Sequence, residues 1–195
     1  MFLIAFSGGG ETFSRARSFY FLYVSLASRV IYPHMGTFIL LSAIPGSGKS
    51  TWAKAYQKAH PNTYIVSSDD IRERLTGEVQ NFEHEGLVWE LFLKEIRDHE
   101  NEDCTMIADA TNLQNTYRRY YHQNTPGYDR HVLVLFDVPF ERCVKFNKMR
   151  EARRIVSDKG MQELRAEFEA PSQEVIDLYD EYLVVDENFN VTKVK

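Results

Sequence analysis

The stretch "LLSAIPGSGKSTWAKAY", residues 40–56, decides the fold. Its left half belongs to "FILLSA", a short apolar run of strand type that starts at Phe38. Its right half opens "STWAKAYQKAH", with Trp52, Ala55, Tyr56 and Ala59 at helical spacing. Between the two, Ala43-Ile44-Pro45-Gly46-Ser47-Gly48-Lys49-Ser50 joins strand to helix through a glycine-rich loop, the Walker A arrangement. Backbone N–H groups of Gly46, Ser47, Gly48 and Lys49 are expected to turn inward around a β-phosphate, with the helix N-terminus behind them. Lys49 would then bridge β- and γ-phosphates, and Ser50 would hold a magnesium ion. Pro45, Gly46, Ser47, Gly48, Lys49, Ser50 and Thr51 are the candidate nucleotide-binding residues. The pattern ordinarily opens with Gly. Ala43 stands there instead, the smallest residue with a Cβ, and a tight but workable turn is expected.

Working outward, 195 residues with 44% hydrophobic content suit one globular domain with a full core. Cys104 and Cys143 lie far apart with no C-x-x-C pairing, which argues against a disulfide scaffold or a zinc site and fits a reducing, cytoplasmic setting. A net charge of −5 gives no strongly basic surface of the kind that advertises nucleic acid, although a local basic patch is compatible with it. Residues 1–34 differ from the rest, with Arg15, Arg17 and Arg29 against Glu11 alone. The apolar run from Phe19 to Ala27 is too short to span a bilayer, so no membrane association is expected. A secretory signal fits poorly and an organelle-targeting peptide somewhat better. The simplest expectation is that Met35, directly before the first strand, is the natural start. Residues 1–34 would then be a mis-assigned start or a disordered extension, and residues 35–195 the domain.

Strand and helix patterns alternate along that domain. "TYIVSSDD" is a strand leading into a helix capped by Ser68 or Asp69 and continued by "DIRERL". "NFEHEGLVWELFLKEIRDHE" is a long amphipathic helix with Phe82, Leu87, Leu91 and Ile96 among its apolar positions. "CTMIADA" is a third strand and "NLQNTYRRYYHQ" a helix. "RHVLVLFDV" is a buried parallel strand, and "PFERCVKFNKMREARR" begins as helix with Pro139 in its first turn. "SDKGMQELRAEFEAP" is a further helix and "DEYLVVDE" a final strand. The fold class is therefore α/β, a three-layer sandwich of the P-loop NTPase type with about five parallel strands and a helical lid.

Chain lengths then select which acids matter. From Lys49 the chain runs out along a helix of about eleven residues, roughly 16 Å. It returns along a strand of about five residues, roughly 17 Å. Asp69 is thereby expected level with the phosphate loop, and Asp109 and Asp137 at the same edge, where open parallel sheets bind ligands. Asp69 can orient an attacking hydroxyl and receive its proton, while Arg72, one turn on, can contact an anionic acceptor. As a plain helix cap and a solvated arginine they would do neither. Asp109 ends an apolar strand in the manner of a Walker B segment that binds magnesium. Thr111 and Asn112 beside it are either substrate contacts or ordinary caps. The cation-rich run Asn147–Arg154 fits a lid closing over ATP, with Arg150 and Arg153 foremost in neutralising charge on a transferred phosphoryl group; surface solubility is the competing account.

Together these motifs resemble the kinase domain of the phage and bacterial 5′-OH polynucleotide kinases. The resemblance runs from about Phe38 to Val185 and rests on "PGSGKSTWA", "SSDDIR", "DATN", "FDVPFE" and the "NKMR…R" spacing. It implies ATP and magnesium as cofactors and the 5′-hydroxyl of a polynucleotide as acceptor. Asp69 would be general base, Arg72 the acceptor-phosphate contact, and Arg150 and Arg153 the lid arginines. Phe146 departs from it, standing where the family usually has Arg. The Walker loop says nothing of the acceptor, so a small-molecule or tRNA-linked alcohol, or water in an acceptor-independent NTPase, stays open. "YRRYYHQ", residues 117–123, supplies arginines and tyrosines that can meet phosphates and stack on bases, or can simply pack.

Overall fold

The computed structural model describes residues 36–195, so the expectations for residues 1–34 and for Met35 as the start lie outside the described residues. The phosphate-loop strand β1 (Thr37–Ser42) is central. On one side of it lie β3 (Thr105–Asp109) and then β2 (Thr63–Ser67); on the other lie β4 (Arg130–Asp137) and then β5 (Glu181–Asp186). These five strands are parallel. A sixth, β6 (Val191–Lys193), adds antiparallel to β5 at the edge, a short exposed strand that the sequence pattern does not announce. The chain crosses from β1 over β3 to β2, then from β3 over β1 to β4. The carboxyl end of β1 therefore lies where the winding reverses, the position at which open α/β sheets form their ligand crevice.

Alternate residues of β1 feed opposite cores, as the two-residue period of a strand requires. Phe38 and Leu40 join one face, packed with Val88, Phe92 and Ile96 of α3 (Glu85–Arg97). Ile39 and Leu41 join the other, against Ala53 of α1 (Lys49–Ala59). The result is three layers. Ala43 continues the second face, almost fully buried, with its N–H donating to the Thr111 carbonyl at 2.9 Å. The methyl group therefore fills core space, which is why Gly is dispensable at that position.

Helix α2 (Ser68–Thr76) starts one residue earlier than the Ser68 or Asp69 cap expected: Ser67 is the cap, its Oγ accepting from the Asp70 N–H. Asp69 is thereby released from capping. The helix expected from Asn81 begins only at Glu85, and Phe82 and Leu87 are exposed rather than core. Three helices follow: α4 (Asn115–Asn124), α5 (Phe140–Asn147) and α6 (Asp158–Glu167). A short α7 (Gln173–Leu178) precedes β5. Between α5 and α6 the cation-rich lid is a loop with one 3-10 turn at Ala152–Arg154. Its two feet are fastened by Asn147, fully buried, whose Nδ2 donates to the Val156 carbonyl at 2.7 Å and whose Oδ1 accepts from the Val156 N–H at 3.1 Å.

Of the two readings open for "YRRYYHQ", Arg118 takes the packing one, while Tyr117 and Tyr120 are exposed. Arg118 is fully buried, donating to Ser42 Oγ, the Leu113 carbonyl and Asn115 Oδ1, and it ties α4 to the end of β1. Burial pushes its guanidinium down to about 10, with Glu169 pulling the other way. Both cysteines are free and buried. Cys104 does have His99 and Glu102 within 4.8 Å, a grouping not evident from cysteine spacing. Those groups already satisfy one another: His99 Nδ1 meets Glu102 at 2.8 Å, and the Cys104 thiol donates to the His99 carbonyl. No helix among the described residues is long and apolar enough to cross a membrane.

Candidate active site

The phosphate loop leaves β1 and turns into α1 through Gly46 (φ 81°) and Gly48 (φ 94°), both in the left-handed region that glycine adopts without a Cβ penalty. At Gly46 close approach adds to the requirement, because a Cβ would collide with the Cys143 carbonyl and lie 2.9 Å from the Asn147 N. The phosphate loop at Gly46 and the C-terminal half of α5 are thus pressed together. A Cβ at Gly48 would meet the Phe189 ring at 2.7 Å, so the β5–β6 turn covers the loop from the far side.

Two features mark this loop as an anion cradle. Ser47 Oγ is buried without a hydrogen-bond partner among the described residues. Lys49 is 9% exposed and forms no ion pair among them. Burial lowers its pKa, while the Asp109 and Asp69 carboxylates draw it back up. A buried ammonium without a direct partner is costly, and an anion bound in the loop would supply a counter-charge.

The ends of β2 and β3 are level, since Ser67 is in register with Asp109. Asp69, two residues past Ser67, and Asp109 accordingly share one cleft of about 1390 Å³ with Lys49. Pro45, Gly46, Ser47, Gly48, Ser50, Thr51, Arg72, Thr111, Arg150 and Arg153 line it as well. Asn112 is the one candidate that is turned away: buried, with φ 44°, it gives its amide to the Leu41 carbonyl at 2.8 Å. Its carbonyl accepts from Ser42 Oγ, so Asn112 splices β1 to the end of β3.

Asp69 is bracketed on both sides. Arg72 Nη1 donates to its Oδ1 at 3.0 Å, and Arg150 Nη2 to its Oδ2 at 3.4 Å. Arg72 is 5% exposed, and Glu85 holds it from behind through Nε at 2.6 Å and Nη2 at 3.1 Å. Burial works against the Arg72 charge, but the hydrogen bonds and charge of Glu85, then Asp69, outweigh it and raise the pKa. The lid is pinned to α2 by further pairs: Arg153 with Glu73, and Arg154 with Asp70 at 2.9 Å and Glu73 at 3.4 Å. Arg154, placed behind Arg150 and Arg153 in the sequence reading, makes two pairings to α2 where each of them makes one.

Glu85, Phe82, Trp89, Arg142 and Phe189 also line the cleft and were not singled out as site residues from the sequence. Glu85 is readable only once Arg72 is known to need a partner, since its spacing of thirteen residues carries no local signal. Phe146, the departure from the family pattern, lines the cleft with the Arg142 guanidinium 5.4 Å from its ring centre. Arg142 is itself paired with Glu187 at 2.7 Å.

Known structures share this fold. A gluconokinase from Sinorhizobium meliloti 1021 superposes with a TM-score of 0.54 at 17% identity, over 80% of this chain and 84% of that one. Chaetomium thermophilum Kti12 in complex with ADP-AlF3 gives a TM-score of 0.60 at 12% identity, over 76% and 88%. A chain of the Pnkp1/Rnl/Hen1 complex gives 0.53 at 26% identity; the match takes in 57% of this chain and only 39% of that one. The fold is thus that of the P-loop kinases, and it is a nucleotide-binding, enzyme-type fold. Residues 39–171, more than half of the sequence and all of the cleft's phosphate loop, Asp69 and lid, match the family model described as AAA domain, and the chain belongs to that family.

Proposed function

We propose that this protein is an ATP-dependent phosphotransferase that moves the γ-phosphoryl group to a hydroxyl, with the 5′-hydroxyl of a polynucleotide as the acceptor. One observation carries the reading: a buried, unpaired Lys49 shares a cleft with Asp69, whose carboxylate already engages arginines from the acceptor side and from the lid. Lys49 and the Gly46–Gly48 backbone hold the phosphates. Asp69 orients the incoming hydroxyl and receives its proton as the oxygen attacks. Arg72, fixed by Glu85, steadies the acceptor, and Arg150 and Arg153 meet the charge that develops on the transferred group. For this to happen Arg150 must exchange the Asp69 carboxylate for the phosphoryl oxygens, which vacates the place the hydroxyl oxygen needs.

The donor set at the loop, the Ser50 hydroxyl and the Asp109 carboxylate, consists of hard oxygens and suits a magnesium ion. Such an ion would neutralise phosphate charge during transfer. The polynucleotide acceptor is favoured over a small polyol by the sequence motifs that surround Asp69, and the 26% identity to a chain of the Pnkp1/Rnl/Hen1 complex, confined to 57% of this chain, is compatible with it. Transfer of label from γ-labelled ATP to a 5′-hydroxyl oligonucleotide tests the reading. Label on the oligonucleotide, lost in Asp69→Asn while ATP binding persists, supports it. Label only on small polyols replaces the acceptor. ATP hydrolysis indifferent to every acceptor and undiminished in Asp69→Asn overturns the transferase altogether.

A further inference from the structure

We propose that Phe82 and Trp89 form a stacking platform for the nucleobase of the acceptor's 5′-terminal residue, and that stacking adds to the Arg72 contact in holding the acceptor. The inference rests on the polynucleotide reading and assigns residues and a binding mode to it. The cleft, at about 1390 Å³, exceeds the roughly 300–1,000 Å³ usual for a pocket holding one small ligand. The phosphate loop accounts for one end. The other end, beyond Asp69, is walled by Arg72, Gln80, Phe82, Glu85 and Trp89.

That wall is unusual in its exposed aromatic surface. Phe82 is 57% exposed and Trp89 37%, each with part of its ring fixed and part open. The Arg72 guanidinium lies over the Phe82 ring, 4.9 Å from its centre, holding the ring against the residue that faces the acceptor. The Trp89 indole meets the buried Phe92 edge-on, with centres 5.7 Å apart at 82°, so the core sets its orientation. Trp89 is also one turn along α3 from Glu85, so the helix face that grips Arg72 presents the indole too. Gln80, exposed on the same wall, offers an amide donor and acceptor to a base edge.

Charge points the same way. Nucleic-acid tracks ordinarily use unpaired Lys and Arg to displace counter-ions from phosphates. Here the arginines around Asp69 are spent on acids: Arg72 on Glu85 and Asp69, Arg153 on Glu73 and Glu151, Arg154 on Asp70 and Glu73. What this end of the cleft adds to Arg72 for holding a strand is flat aromatic surface, and every nucleobase has a π-face to match it. A small polyol would leave both rings wet.

The test uses the full chain, ATP and magnesium with two acceptors, a 5′-hydroxyl oligonucleotide and the same strand with an abasic 5′ residue. Phe82→Ala and Trp89→Ala, checked for unchanged thermal midpoints, are each expected to raise the KM for the base-bearing strand about tenfold. Saturated turnover and the ATP KM should hold, and Trp89→Phe should recover most of the loss. The abasic strand should be a poor acceptor for all variants alike, and the KM for the intact strand should change little with added salt. Wild-type acceptor KM in both alanine variants, or an abasic strand used as well as the intact one, overturns the platform while label transfer leaves the kinase reading standing. If no strand is labelled, an oligonucleotide carrying 2-aminopurine at its 5′ end separates the two ideas. Fluorescence quenching that Trp89→Ala removes keeps the platform and sinks the transferase, whereas no quenching sinks both.

Discussion

Removing the Glu85 carboxylate isolates the hold on Arg72. Glu85 accepts two hydrogen bonds from a guanidinium that is 5% exposed, at 2.6 and 3.1 Å. Severing a buried pair and stranding one charge costs roughly 3–5 kcal/mol. Two features reduce that figure: the Glu85 side chain is 30% exposed, and Arg72 keeps Asp69 at 3.0 Å. Hydrogen bonds to charged groups contribute roughly 1.5–3 kcal/mol, so about 2 kcal/mol is expected for Glu85→Ala. For a domain of this size that lowers the thermal midpoint by about 4–8 °C. Glu85→Gln, which keeps an oxygen for Arg72 Nε, should lose about half as much. In kinetics, an Arg72 drawn toward Asp69 no longer presents itself squarely to the acceptor, and acceptor KM should rise about tenfold with ATP KM unchanged. Calorimetry and initial rates against each substrate read the two effects separately. A Glu85→Ala protein with the wild-type midpoint and acceptor KM refutes the reasoning. An equal loss in ATP affinity would show that the pair supports the whole cleft rather than Arg72.

Other expectations follow from the same geometry. Lys49→Met should raise the midpoint of the nucleotide-free protein, since it removes a buried ammonium, and should abolish stabilisation by ATP. For the wild type that stabilisation is about 2.7 kcal/mol at a hundred times the dissociation constant, so one thermal-shift series decides it. Gly46→Ala forces a Cβ into the Cys143 carbonyl at a left-handed φ; it should cost about 1–3 kcal/mol and eliminate the nucleotide-induced shift. Above about pH 10 the fold should lose stability, because burial pushes the phenols of Tyr121, Tyr128 and Tyr179 above their unfolded value. Their contribution is complete below that value and lost as pH climbs toward the folded ones. Arg118, pushed down to about 10, opposes this above that pH, but it is one group against three. Circular dichroism with phenolate absorbance checks the point: full ionisation of the tyrosines without unfolding would contradict it.

How much of this was legible in the sequence differs by element. The layered fold was, because apolar strands of five to eight residues alternate with helical spacing and a glycine-rich turn marks where the sheet opens. Asp69 was also within reach, since helix rise and strand rise bring the chain back to its starting level, and the register of Ser67 with Asp109 agrees. Long-range pairings were not. An arginine amid tyrosines reads as surface, yet Arg118 is buried because the Ser42 hydroxyl and the Leu113 carbonyl lie within its reach, a coincidence of three distant segments. Asn112 and the lid's Asn147 look alike as polar residues at helix borders, but both are spent on backbone groups. Phe82 carried an apolar signal and was read as core. Its ring is instead held outward by Arg72, a contact that no periodicity encodes.

The Asn147 staple has one more consequence. By joining the chain before Met149 to the chain after Ile155, it turns the intervening loop into a closed hoop hung from a single buried side chain. A hoop of that kind has fewer ways to move than an open loop, so when the cover lifts, Arg150, Arg153 and Arg154 are expected to leave α2 together. Opening is then expected to break those pairings together, making the cover a two-position shutter in place of one that frays gradually.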